Sequence, residues 1–111
     1  MVRVHYSRPL NKENELDKVV RDGKVAVLIS PGYGAGWSSW SSKELLFDPK
    51  IVAMVEAGVN PAEYCEETYG GYFNADDLTV VWVDQGREFI VEEYDGFESL
   101  VFKDEVKWIT A

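Results

Sequence analysis

The run KVAVLIS, residues 24–30, constrains the fold more than any other stretch of this 111-residue sequence. Its side chains are almost continuously β-branched or aliphatic, without the polar alternation of a strand that faces water on one side. We therefore expect a strand that is buried on both faces. A chain of this length lies near the commonest domain size and can bury a core without disulfides or metals.

Breaker residues divide the sequence before this run into two short elements. The alternating segment VRVHY, residues 2–6, predicts a first strand, which Pro9 ends. Residues 13–21 have the spacing of a weak helix, and Gly23 would stop it.

Two short helices are predicted in the middle of the chain, each with a marked start. Asp48 and Pro49 provide an N-cap and a first-turn proline, and Gly58 ends this helix. Asn60 begins the second helix, where Glu63 is placed to close a capping box. The next pair of glycines should end it.

The last third of the sequence is typical of β structure. Segments 78–83 and 87–94 flank a glycine turn that favours a hairpin, and segments 99–102 and 106–110 add two further short strands. The element order indicates one α+β domain over residues 1–111. Its short helices should pack on one face of a mostly antiparallel sheet with a C-terminal β-meander.

The composition is that of a soluble globular protein. Hydrophobic residues make up 46% and charged residues 28% of the chain. No apolar run approaches the ~20 residues of a membrane-spanning helix, and the N-terminus becomes polar too early for a signal peptide. The single cysteine, Cys65, agrees with a reducing compartment. We therefore expect a cytoplasmic protein.

The net charge of −9 comes from the second half of the chain. Residues 1–59 contain eight Lys or Arg and seven Asp or Glu, whereas residues 60–111 contain three and thirteen. This excess of carboxylates argues against direct binding of nucleic acid, because phosphate contacts draw on clustered cations. It fits either a basic protein partner or a surface that only keeps the protein soluble.

Residues suited to catalysis are few, and we expect no enzyme and no cofactor. His5 is the only histidine and lies on the predicted first strand, far in sequence from Cys65 and the serines. One cysteine and one histidine cannot fill a zinc site. Glu92 and Glu93 are neighbours on a predicted strand, so they point to opposite faces and cannot serve one site.

Glycine, aromatic and serine residues follow the buried strand in the sequence PGYGAGWSSW, residues 31–40. The third glycine comes too early for a dinucleotide-binding loop, and no Walker lysine follows. The rings could instead stack on a small ligand, fill a pocket in a protein partner or fold back over the sheet. The candidate contact residues are Tyr33, Gly34, Ala35, Gly36, Trp37, Ser38, Ser39 and Trp40.

Carboxylates of the second half provide the other candidate surface. We expect these side chains to lie in solvent and to form an acidic face, which would suit a basic partner. They are Asp76, Asp77, Glu92, Glu93, Asp95 and Glu98.

Three motifs in this order resemble a group of small acidic proteins encoded by bacteriophages and prophages. They are the GAGWSSW loop at 34–40, the FDP-led helix that ends in EAG at 47–58 and the EYDG-x-ES turn at 93–99. The resemblance covers roughly residues 24–100 and implies phage origin without a mechanism. It highlights Gly34, Ala35, Gly36, Trp37 and Trp40, and then Glu93, Tyr94, Asp95, Gly96, Glu98 and Ser99.

The expected function is that of a phage accessory protein in the cytosol of a bacterial host. It would bind a host or phage protein, in one form by covering a basic, nucleic-acid-binding surface. The alternative is a small-molecule or nucleotide binder that uses Tyr33, the Gly34–Gly36 backbone and Trp37. We expect no direct nucleic-acid or membrane partner, and a homodimer built on the C-terminal strands remains open.

Overall fold

Strand β3, Lys24–Ile29, is buried along almost its whole length in the computed structural model, which confirms the prediction. It is the middle strand of a three-stranded antiparallel sheet, between β2 (Val20–Arg21) and β4 (Thr79–Asp84). A second antiparallel sheet has the order β1-β5-β6 and consists of β1 (Val2–Arg3), β5 (Phe89–Tyr94) and β6 (Phe97–Phe102). The α+β class is confirmed, with the strands divided between two sheets.

The structure describes residues 2–3, 17–34, 36–40, 43–70, 75 and 77–111, except for the side chains of Val2, Arg3 and Trp40. The predicted first strand beyond Arg3, with His5, and the predicted helix before residue 17 lie outside the described residues. No helix in the described part of the chain is both long and apolar enough to cross a membrane.

Alternate side chains of β3 pack against different layers. Leu28 packs with residues of helices α1 (Pro49–Glu56) and α2 (Ala62–Thr68). Val27, on the opposite face, packs with Val91 of β5. The helices therefore cover one face of the central sheet, as predicted, and the second sheet covers the other face.

The helix starts follow the capping residues of the sequence. Asp48 is the N-cap of α1, and its Oδ1 accepts hydrogen bonds from two first-turn amides at 2.9 and 3.2 Å. This confirms the predicted start. The cap position of α2 is Pro61, one residue after the predicted Asn60. Asn60 still bonds the first turn, since its Oδ1 accepts from the Ala62 amide at 2.9 Å.

The predicted hairpin between segments 78–83 and 87–94 is wrong. Strand β4 pairs with β3 over six residues, and β5 pairs with β6. The glycine turn between β4 and β5 therefore leads the chain from one sheet to the other. At its start, the amide of Gln85 donates to the Gly23 carbonyl at 2.8 Å. Pairing with the buried β3 removes more apolar surface of β4 from water than a solvent-facing hairpin would.

The prediction of a helix over residues 13–21 is also wrong in the part that the structure describes, because Val20–Arg21 forms strand β2. Asp22 and Gly23 have φ angles of +50° and +75°, the positive pair that a two-residue type I′ hairpin requires. This turn pairs β2 with β3, and tertiary pairing overrides the weak helical spacing. Asp95 and Gly96 form an equivalent turn between β5 and β6, at +50° and +85°.

The predicted strand at 106–110 is wrong as well. Residues 106–111 have no regular secondary structure, and Trp108 and Ile109 are exposed. The preceding 3-10 turn, Lys103–Glu105, is held beside β5 by Arg87, which donates to Asp104 and Glu105. The segment therefore leaves the sheet instead of folding back along β6.

Candidate functional site

The carboxylate of Glu98 holds the glycine- and tryptophan-rich loop against the second sheet. The backbone amides of Ser30, Trp37 and Ser39 donate to it at 3.0, 2.8 and 3.0 Å. The Ser39 hydroxyl donates to it as well. We call these four residues the Glu98 network. Because hydrogen bonds to a charged acceptor are the stronger kind, the network fixes the loop at both ends.

The prediction that Glu98 lies on a solvent-facing acidic surface is wrong, since its side chain is only 1% exposed. Glu98 alternates in phase with Leu100 and Phe102, which pack against the core. Side chains two residues apart share one face of a strand, so Glu98 points inward. The apolar residues at every second position after Glu98 were the signal in the sequence that its side chain is buried.

The other predicted carboxylates do not form one continuous face. Glu93 alternates in phase with a buried valine of β5 and points inward. Glu92 is half-buried on the outward face of β5, and Asp95 is exposed at the following turn. Asp77 is exposed before β4, and Asp76 lies outside the described residues.

Trp37 is completely buried under the loop. Its indole Nε1–H donates to the Leu45 carbonyl at 2.8 Å, and its ring packs in the core on the helix side of β3. The ring is therefore not available to stack on a ligand or to enter a partner's pocket. Of its neighbours, Gly36 and Ser38 are buried and Ser39 is half-buried, while Ala35 and the Trp40 side chain lie outside the described residues.

Of the two aromatic side chains of the loop that the structure describes, Trp37 is buried and Tyr33 is 68% exposed to solvent. Its ring lies on that of Phe97, with the centroids 5.4 Å apart and the planes tilted by 32°. The next amide, of Gly34, donates to the Asp95 carbonyl at 2.7 Å. Gly34 has a φ of +114°, which side-chain-bearing residues rarely adopt, so this contact requires glycine.

The loop and the β5–β6 turn together display three aromatic rings. Tyr94 is paired with Phe97 across the turn and is 60% exposed, and Tyr33 lies on Phe97. We call Tyr33, Tyr94 and Phe97 the aromatic tip. The Gly96 amide donates to Glu93 at 2.6 Å, which braces the turn. The predicted loop and the predicted acidic region therefore meet in two places, at the buried Glu98 carboxylate and at the contact of Tyr33 with Phe97.

A concave region of the surface was not apparent from the sequence. It is an open cleft of about 420 Å³, lined by Asp17, Glu44, Asp48, Pro49, Lys50, Tyr64 and Tyr69. The hydroxyls of Tyr64 and Tyr69 both donate to Asp48, which also caps α1. Asp48 is the buried carboxylate of the cleft lining, and these hydrogen bonds engage it. No metal-binding group of acids, histidines or cysteines is present among the described residues.

The stability of the core around Cys65 should fall at alkaline pH. Burial, with a smaller contribution from Asp48, raises the pKa of the thiol to about 11 from an ordinary value of 9.0. When the pKa of a group is higher in the folded than in the unfolded state, the fold is stabilised in full at pH values below the unfolded-state pKa. This stabilisation is lost as the pH rises through the folded-state pKa. We expect the free energy of unfolding to decrease between pH 9 and 11.

Urea denaturation at several pH values would measure this decrease, with Cys65→Ala as the control. The variant should lose less stability over the same pH interval. Burial also raises the pKa of Tyr69, so part of the decrease should remain in the variant. An identical pH dependence in both proteins would contradict the assignment to Cys65.

Comparison with known protein families, with curated proteins and with solved structures finds no match to this chain.

Proposed function

We propose that this protein is a bacteriophage-encoded accessory protein that acts by binding another protein through the aromatic tip. The observation that carries the proposal is that the Tyr33 ring lies on Phe97 beside Tyr94, while Tyr33 and Tyr94 both remain largely exposed to solvent. Tyrosine is among the residues that contribute most to protein interfaces, because it buries a large rigid ring and still offers a hydroxyl.

The Glu98 network supports this proposal by ordering the surface before a partner arrives. Binding loses affinity when loops must be immobilised in the complex. The loop that presents Tyr33 is already fixed by hydrogen bonds to a buried carboxylate. Little further ordering of the described loop backbone would be needed on association.

Charge indicates the chemistry of the partner. Asp95 is exposed within the turn, Glu92 lies on the outward face of β5, and residues 60–111 carry thirteen acidic against three basic residues. An acidic rim steers basic surfaces toward it and disfavours acidic ones. The partner that fits is therefore a protein with a basic patch, including one that binds nucleic acid, in the cytosol of a bacterial host.

Burial of Trp37 makes the small-molecule alternative less favourable than protein binding. That alternative requires the indole ring to stack on a ligand, whereas the ring is enclosed by the core. Tyr33 and Tyr94 are instead largely exposed to solvent, which suits contact with a protein surface better than the enclosed sites that small molecules usually occupy.

Affinity capture from bacterial extract, read by quantitative mass spectrometry, would test the proposal. The variants are Tyr33→Ser combined with Tyr94→Ser and, as control, Val59→Ser, which removes an exposed apolar side chain between α1 and α2. We expect a basic protein to be retained by the wild type and the control, and at least tenfold less by the double variant.

Capture of no protein in a tyrosine-dependent manner would contradict the proposal. The salt dependence of retention tests the aromatic contact and the basic partner separately, because attraction between exposed charges is screened as ionic strength rises. Retention that depends on the tyrosines but not on salt would keep the aromatic contact and reject the basic partner.

A further inference from the structure

The segment 106–111, VKWITA, combines β-forming residues with unusual exposure. Trp108 is 85% and Ile109 96% exposed, more than any other large hydrophobic side chain of the described residues. Val106 already has extended backbone angles, with φ −81° and ψ 125°. Adjacent apolar side chains left in water typically mark an interaction site.

Contacts just before the segment direct it away from its own sheet. The Arg87 guanidinium lies 3.7 Å from the centroid of the Phe102 ring and bridges to Asp104 and Glu105 at 3.0 and 2.7 Å. The Lys103 amide donates to the Glu88 carbonyl at 3.0 Å, beside the start of β5. The turn is therefore held on the β5 side, and the segment does not run back along the outer edge of its own β6.

Strand β4 offers an edge that fits such a segment. It pairs with β3 in unbroken register over six residues, and no strand of the described chain pairs with its other edge. Its sequence, TVVWVD, contains no lysine, proline or bulge, the usual devices that keep an edge strand from pairing with another chain.

Charge also fits an added strand at β4. Exposed carboxylates lie near both ends of β4, at Asp77 and Asp84. Lys107 is the only charged side chain of the segment 106–111. A strand added to β4 in either direction would bring Lys107 near a carboxylate.

We infer that the segment 106–111 binds to the outer edge of β4 in a second copy of this chain by strand addition. Main-chain hydrogen bonds would hold the strand, and Trp108 and Ile109 would leave water. A six-residue segment is small beside the 20–30 residues per side of a standard interface. The association should therefore depend on concentration and strengthen when salt screens the repulsion between two copies of charge −9.

Sedimentation velocity across a wide range of protein concentration would test this inference. The tail variant is Trp108→Ser with Ile109→Ser, and the control is Val59→Ser, which also removes an exposed apolar side chain. We expect dimers of the wild type and the control, and a dissociation constant at least tenfold weaker for the tail variant. A wild type that stays monomeric, or a tail variant that dimerises equally well, would overturn the inference.

A synthetic peptide of residues 104–111 identifies the receiving edge. Added to the monomeric tail variant, it should shift the amide NMR signals of Thr79–Asp84. Shifts confined to β6 or to the aromatic tip, or no shifts at all, would overturn the assignment to β4. The tail variant keeps both tyrosines of the aromatic tip, so this test and the capture experiment fail independently.

Discussion

Replacement of Glu98 by glutamine is expected to lower the free energy of unfolding by about 3 kcal/mol, because hydrogen bonds to a charged acceptor each contribute roughly 1.5–3 kcal/mol. The buried carboxylate accepts from three backbone amides and one hydroxyl. The amide of glutamine keeps the shape but turns one acceptor into a donor that faces N–H groups. At least one buried donor of the loop then lacks a partner.

Urea denaturation of Glu98→Gln would measure this loss. The matched control is Glu66→Gln, the same chemical change at an exposed position of α2. The control should stay within about 0.5 kcal/mol of the wild type, as surface substitutions usually do. Equal stability of the two variants would show that the Glu98 network does not stabilise the fold.

Replacement of Trp37 by alanine is expected to cost about 3–5 kcal/mol, the range for removing a buried aromatic side chain. The loss combines a cavity among Leu28, Ile51 and their neighbours with an unpaired Leu45 carbonyl, which now accepts from the indole. Trp37→Phe should cost less, since the ring is retained and mainly the hydrogen bond is lost.

The exposed Trp108 provides the control for this second substitution. At a protein concentration low enough to keep the chain monomeric, Trp108→Ala removes an exposed side chain and should change stability by no more than about 0.5 kcal/mol. Under the same conditions acrylamide should quench the emission of Trp108 but not that of Trp37, which is enclosed. Ready quenching of the emission that disappears in Trp37→Phe would contradict the buried position.

Much of the architecture follows from local signals in the sequence. The apolar run of β3 requires cover on both faces, and Asp48 with Pro49 sets the start of α1. These predictions hold because burial and capping depend on a few neighbouring residues. The Asp22-Gly23 turn shows the limit, since Gly23 predicts the stop of a helix and instead helps to close a hairpin.

Pairing between strands could not be predicted in the same way. Segments 78–83 and 87–94 meet at a glycine turn, yet β4 pairs with β3, whose residues lie 50 to 60 positions earlier in the chain. The choice depends on which apolar faces meet in three dimensions, and a turn residue does not encode it. For the same reason the aromatic tip was not apparent, because its residues come from a loop and a turn far apart in sequence.

The candidate site shows how residue types alone can mislead. The same residue type occurs at Glu92, Glu93 and Glu98. Only the alternation of the neighbouring apolar residues shows that Glu92 points outward and that Glu93 and Glu98 point inward. Trp37 and Tyr33 occur in one glycine-rich motif and lie in opposite environments. The tryptophan completes the core, and the tyrosine remains on the surface.

Photo-crosslinking in bacterial cells tests most directly whether the aromatic tip binds a partner. Benzoylphenylalanine would replace Tyr33 in one protein and, as control, Val59, which is also exposed, in another. We predict that the probe at position 33 captures one defined basic protein and that the probe at position 59 does not. Equal crosslinking from both positions, or none from position 33, would contradict the proposed binding function.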